Sequence, residues 1–181
     1  MTSSEESLPL EALQRLTRTR LFALDIDGTL TNGQVTYIGK EESQSFDVLD
    51  GQGLVWMRRD GVKLAWISGR GCAATRKRAE ELGVEFIVLE CKNKSAALVA
   101  IQEELGLSPQ ETLAMGDDLP DLALANGAGF FAAPANARPE LLERADYVTE
   151  SRGGDGAVRE VCELYLRARG QWQALQSAAG R

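Results

Sequence analysis

The chain has 181 residues, of which 44% are hydrophobic and 26% charged, and a net charge of −7 from 20 Lys or Arg and 27 Asp or Glu. That is the profile of one globular domain with a sizeable core, and the acidic balance argues against a nucleic-acid or anionic-membrane binder. With no histidine and only Cys72, Cys91 and Cys162 as thiols, a Ser-His-Asp or Cys-His nucleophile pair, a histidine base, a His-ligated zinc, a four-cysteine metal site and a disulfide framework are all excluded.

The polar, acidic first residues do not read as a signal peptide. The longest uncharged run, Leu122 to Ala137, is broken by Asn126, two glycines and Pro134, which is unsuited to a membrane span. A reduced, cytoplasmic protein is therefore expected. One domain over 1–181 is expected, with a mobile N-terminus at 1–8 and a loosely ordered tail at 171–181.

Between these ends, buried strands are expected at Arg20–Leu24, Val62–Ile67, Val84–Leu89, Thr112–Met115, Gly129–Ala132 and, briefly, Tyr147–Thr149. Helical patterns lie at Leu54–Arg59, Ala73–Leu82, Ser95–Leu105, Leu119–Asn126, Glu140–Arg144 and Ala157–Arg169. Gln34 to Asp47 breaks the alternation and reads as a β-hairpin around Gly39-Lys40-Glu41-Glu42. Trp56 and Trp66 read as core residues. Strand–helix alternation predicts an α/β sandwich of three layers, Rossmann-like, with a mainly parallel sheet. Ligands of such folds bind outside the carboxyl ends of the strands.

Four of the expected strands lead into chemically useful residues. The first runs into Asp25-Ile26-Asp27-Gly28-Thr29, the second into Ser68-Gly69-Arg70, the third toward Lys94 and the fourth into Gly116-Asp117-Asp118. Alternation along an extended chain brings Asp25 and Asp27 to one side, and two close carboxylates call for a cation. A hard divalent ion such as Mg²⁺ suits carboxylates plus phosphate oxygens and water. Gly28 permits a sharp turn that offers backbone N–H groups to an anion. An EF-hand loop also begins D-x-D, but here the glycine falls too early and Thr36 stands where Glu is required. Taken singly, these are ordinary features: an Asp-Gly turn, a serine N-cap, a surface lysine, capping aspartates. Their placement on four ends of one sheet is what carries meaning.

The segments DIDGTLT, WISGR, the lysine of CKNKSAAL and AMGDDLPDL make the chain resemble the haloacid dehalogenase superfamily of phosphohydrolases. Within it, the likeness is to phosphatases of 3-deoxy-D-manno-octulosonate 8-phosphate (KDO 8-phosphate). The likeness runs from about residue 21 to 171 and includes NGQVTYIG, FDVLDGQG and RADYVTESRGGDGAVREVCELYL. The resemblance implies a phosphoric monoester hydrolase with Asp25 as nucleophile and Asp27 as acid and then base. Ser68 and Lys94 would hold the phosphoryl group. Asp25, the carbonyl of Asp27 and Asp117 would bind Mg²⁺, with Asp118 in support. Gly28, Gly69, Arg70 and Arg78 would face a phosphorylated sugar acid. It also implies a homotetramer in which the hairpin stands in place of a cap domain and a neighbour's tail, after Gly170, reaches the site. Basic residues expected at Leu49 and Val55 are missing. This leaves a nonulosonic (sialic-type) acid 9-phosphate, or a broader set of sugar phosphates, as alternative substrates.

Two other chemistries match in part. Cys72 and Arg78 satisfy C-x₅-R, but the intervening residues read as helix rather than a phosphate loop. A receiver-type phosphoacceptor domain uses similar groups, but its acceptor ends the third strand, where this chain has Leu89-Glu90-Cys91. A silent binding scaffold is the remaining non-enzyme reading, and turnover separates it from an enzyme.

Overall fold

A computed structural model describes residues 8–179. The N-terminal expectation, except residue 8, and the last two residues of the tail lie outside the described residues. The main sheet contains β1 (Leu21–Leu24), β4 (Lys63–Ile67), β5 (Phe86–Val88), β6 (Thr112–Met115), β7 (Phe130–Ala133) and β8 (Tyr147–Val148). Its order is β5-β4-β1-β6-β7-β8, and every pairing is parallel. The chain builds outward from β1 in one direction, then returns to its other side with β6. This places a topological switch point at the carboxyl end of β1.

Side chains alternate between two buried layers. Phe22, Leu24, Leu64, Trp66, Leu113 and Met115 face one layer, completed by α1 (Leu10–Leu16), α2 (Val48–Arg59), α3 (Ala73–Leu82) and α7 (Ala157–Ala168). Leu21, Ala23, Ala65, Ile67 and Ala114 face the other, completed by α4 (Lys94–Leu105), α5 (Leu122–Asn126) and α6 (Pro139–Arg144). Both faces of the sheet are covered, which is why its strands read as near-continuous apolar runs.

The hairpin forms as β2 (Thr36–Ile38) and β3 (Glu41–Ser43), turning at Gly39-Lys40, and it stays separate from the main sheet. No helix among the described residues is long and apolar enough to cross a membrane.

Several expectations are corrected. α2 begins six residues before the expected Leu54, because Asp47 caps its start by accepting from the backbone N–H groups of Leu49 and Asp50. Its Gly53 weakens the helical pattern but lets α7 approach: a Cβ there would lie 3.0 Å from Cys162 Cβ. α1 was not anticipated. It is tied down by Arg15, which donates to the Gly129 carbonyl at 2.8 Å and pairs with Asp146 at 2.7 Å. The expected strand from Val84 begins only at Phe86, because the left-handed Gly83 closes α3 and the Val84 N–H bonds back to the Ala79 carbonyl. Within the tail, Trp172–Ala179 forms α8, which contacts α7 of the same chain.

Candidate active site

The four strand ends meet at a cavity of about 500 Å³ lined by Asp25, Asp27, Ser68, Gly69, Arg70, Cys91, Lys92, Asn93, Lys94, Asp118, Pro120, Asp121 and Ala123. Asp25 stands directly after β1, and its N–H continues the ladder to the Met115 carbonyl at 3.0 Å. Its carboxylate is buried. Lys94 is the first residue of α4, reached through the N-cap Asn93, which accepts from Ala96 N–H at 3.0 Å. The buried Lys94 ammonium lies 2.6 Å from Asp25 Oδ1 and 2.6 Å from Asp121 Oδ1.

Asp121 takes its place through a turn rather than a strand. The expected helix 119–126 is divided. Leu119–Asp121 forms a 3-10 turn, with Pro120 inside it and Asp118 and Asp121 capping each other's backbone. Asp121 Oδ2 accepts from Asp117 N–H at 3.1 Å and Asp118 N–H at 3.2 Å. That fold-back aims Asp121 inward and leaves Asp118 exposed, bonded to Leu119 N–H at 2.9 Å. The carboxylates that converge are therefore Asp25, Asp117 and Asp121, with ligand atoms all within 4.8 Å of one another. Asp118 lines the cavity rim but does not join that cluster. The sequence signal for Asp121 is its position three residues after Asp118, the spacing of a capping box.

Asp117 is fixed by Thr29, whose hydroxyl donates to Oδ1 at 3.3 Å, and lies hard against Gly28. Gly28 has φ +91°, and a Cβ there would lie 2.1 Å from Asp117 Oδ2, so no other residue fits. Gly28 therefore shapes the acidic cluster and is not part of the cavity lining. Burial, followed by the charge of Asp121, raises the Asp117 carboxyl to about 6. The same two causes push Asp25 up, against the pull of Lys94. Burial pulls the Lys94 ammonium down, but Asp25 and Asp121 together lift it above its ordinary value. A site that leaves carboxylates reluctant to ionise, despite a bonded ammonium, has room for more positive charge.

The Asp27 carboxylate, expected beside that of Asp25, is not in this cluster. Gln44 Nε2 donates to its Oδ1 at 2.9 Å and Ser68 Oγ to its Oδ2 at 3.3 Å. Ser68 is itself buried and accepts from Arg70 N–H at 3.1 Å. Arg70 reaches the hairpin, where Glu42 pairs with it at 2.8 Å. Arg78, also expected at the substrate, is not in the cavity lining. It lies between α3 and the start of α2, donating to the Asp47 carbonyl at 3.4 Å and pairing with Glu81.

The glycine-rich segment after β8 braces the loop from below. Asn136 donates to the Gly28 carbonyl at 2.9 Å and accepts from Gly153 N–H at 2.6 Å, and Gly154 N–H donates to the Thr29 carbonyl at 3.2 Å. Sequence reasoning missed Gln44 and Asn136, because amide side chains far apart in the chain carry no pattern of their own.

A family profile described as haloacid dehalogenase-like hydrolase matches residues 87–161. The chain is 39% identical over 154 residues to the 3-deoxy-D-manno-octulosonate 8-phosphate phosphatase KdsC of Escherichia coli K12, covering 84% of this chain and 81% of that one. The Moraxella catarrhalis 3-deoxy-D-manno-octulosonate 8-phosphate phosphatase, solved with magnesium, phosphate and KDO, superposes with a TM-score of 0.90. It is 39% identical, over 93% of this chain and 97% of that one. A hypothetical protein of Xanthomonas campestris superposes at 0.92 with 42% identity, covering 98% of both chains. The parallel sheet, the hairpin in place of a cap and the acidic cluster beside Lys94 agree with these likenesses: the chain belongs to the haloacid dehalogenase-like hydrolases and is a phosphatase.

Proposed function

We propose that this phosphatase is Mg²⁺-dependent and hydrolyses KDO 8-phosphate through a phosphoaspartate at Asp25. The observation that carries the reading is the arrangement at the cavity floor. A buried carboxylate, Asp25, is held by a buried ammonium, and a second carboxylate lining the same cavity, Asp27, is held by Ser68 and Gln44.

The donor set fits a hard cation. Asp25, Asp117 and Asp121 offer closely spaced oxygens, and the backbone carbonyl of Asp27 lies in the same loop. Bound among these groups, Mg²⁺ supplies the charge that lets an anionic nucleophile approach a phosphate. The protein's own groups do the rest. Lys94 and Ser68 hold the phosphoryl oxygens. A carboxylate oxygen of Asp25 forms a bond to phosphorus as the bond from phosphorus to the sugar oxygen breaks. The electron pair stays on that oxygen, which takes a proton from Asp27. In the second step Asp27 accepts a proton from water as the water oxygen bonds phosphorus, and the bond to Asp25 breaks to release inorganic phosphate.

The substrate is a phosphorylated sugar acid. Val55 is half-buried against the core. Leu49, however, is 57% exposed at the start of α2, and this apolar residue where a basic one was expected favours a second substrate reading, a nonulosonic acid 9-phosphate. Self-association as a tetramer is supported by the hairpin, which leaves Tyr37 67% and Ile38 69% exposed on a strand paired only with β3. A cytoplasmic setting is in keeping with the three unpaired cysteines.

The test is phosphate release from KDO 8-phosphate, a sialic-type 9-phosphate and simple sugar phosphates, with Mg²⁺ and with chelator, alongside Asp25→Asn. Turnover concentrated on KDO 8-phosphate, lost with chelator and in the variant, is expected. Preference for the 9-phosphate would replace the substrate and keep the mechanism. Turnover that persists in Asp25→Asn would sink the phosphoaspartate. Light scattering that gives the mass of one chain at micromolar concentration would remove the tetramer.

A further inference from the structure

Gln44, in the segment just after β3, reaches the cavity-lining Asp27 and makes contact at both ends of its amide. Its oxygen accepts from the Thr75 hydroxyl and from the Cys72 thiol, the latter at 3.2 Å. Both donors belong to the start of α3, and Thr75 is fully buried. With its oxygen end committed to α3, the amide must turn its NH₂ end toward Asp27, and Nε2 lies 2.9 Å from Oδ1. The contacts run from the buried Thr75 of α3 through Gln44 to the Asp27 carboxylate.

We propose that Gln44 is a positioning residue for Asp27, held in register by Thr75 and Cys72. The inference rests on the reading of Asp27 as proton donor and acceptor. The amide NH₂ at Oδ1 can only donate, whereas the Ser68 hydroxyl at Oδ2 can turn to accept, so when Asp27 is the acid its proton is favoured on Oδ2, the oxygen beside Ser68. Ser68 is also where the phosphoryl oxygens are held. Gln44 therefore decides which Asp27 oxygen delivers the proton, and it turns that oxygen toward the breaking bond. The hairpin thereby acquires a role in the chemistry of its own chain.

The leaving group separates this role from a structural one. When the bond from phosphorus to a sugar oxygen breaks, the alkoxide needs the Asp27 proton. A nitrophenolate leaves without it, because the ring stabilises the electron pair. For both substrates kcat/KM reports the step in which the leaving group departs.

The experiment measures kcat/KM for KDO 8-phosphate and p-nitrophenyl phosphate on the same preparations of wild type, Gln44→Met, Thr75→Val and Asp27→Asn. Gln44→Met is expected to lower the value for the sugar phosphate about ten- to hundredfold, the range for a hydrogen bond to a charged group. The aryl value should fall less than about threefold, since general acid catalysis is not needed there. Thr75→Val should show the same selectivity with a smaller amplitude. A poorly folded fraction scales both substrates alike and cancels in their ratio. Equal losses on both substrates in Gln44→Met, or none, overturn the proposal. If Asp27→Asn is selective while Gln44→Met is not, only the positioning role fails. If Asp27→Asn lowers both equally, the acid role of Asp27 fails and the proposal falls with it.

Discussion

Gly153 stands so close to Gly28 that a Cβ on Gly153 would lie 1.8 Å from the Gly28 carbonyl oxygen and 3.0 Å from Thr29 N. The atoms in the way are backbone, so they cannot swing aside as a side chain would. Gly153→Ala must push the Asp25–Thr29 loop or its own loop away. An overpacked contact of this kind costs about 1–3 kcal/mol, seen as a fall in Tm of about 2–12 °C. The displaced loop carries Asp27, and a misplacement of about 1 Å can cost roughly 100-fold in rate. Calorimetry and kcat on the sugar phosphate check both; an unchanged kcat would show that the brace is not coupled to the site.

Lys94 lies between Asp25 and Asp121, 2.6 Å from each. Lys94→Met removes the phosphate-holding charge and leaves the carboxylates facing one another. Turnover is expected to drop at least about 100-fold, in line with loss of a preorganised electrostatic group. Mg²⁺ should bind the variant more tightly, because the competing ammonium is gone. Calorimetric titration with Mg²⁺ that showed weaker binding would contradict this account of the cluster.

Asp50, in α2, caps a helix that is not its own. Its buried Oδ1 accepts from Arg159 N–H at 2.7 Å near the start of α7, while Oδ2 is buried without a hydrogen-bond partner among the described residues. Burial, opposed by that bond, raises the carboxyl from 3.8 to about 6. The folded state therefore holds the proton more tightly than the unfolded chain. The stability this confers is complete below about pH 4 and is lost as pH rises through about 6. The lost contribution is roughly 1–3 kcal/mol. Asp50→Asn is neutral throughout and should flatten this part of the profile, measured as urea unfolding between pH 4.5 and 8. A wild type whose stability rises across that range, with no change in slope in the variant, would refute the assignment.

Trp172 anchors α8. Its ring meets Trp56 edge-on with centroids 5.8 Å apart, and Arg167 lies over it at 4.5 Å. Arg159 lies over Trp56 at 4.2 Å and approaches Trp172 at 5.8 Å. Trp172→Ala should cost about 1–2 kcal/mol, lowering Tm by about 2–8 °C. Thermal denaturation unchanged within a degree would mean that α8 adds nothing to the fold.

Much of this protein can be read from order along the chain. Apolar runs alternating with helical patterns determined a covered parallel sheet, and the residues just beyond the runs determined that Asp25, Ser68, Lys94 and Asp117 would gather at one edge. These are consequences of local physics: strand ends point one way in a parallel sheet, and polar residues at such ends are not needed for the core. Tertiary structure decided the rest. A divided helix at Pro120 brought Asp121 rather than Asp118 into the acidic cluster, and packing against α2 drew Arg78 out of the cavity. Gln44 meets Asp27, Asn136 meets Gly28, and Trp172 meets Trp56 across long stretches of chain. Such contacts have no period and no spacing, because they depend on where whole elements come to rest against one another.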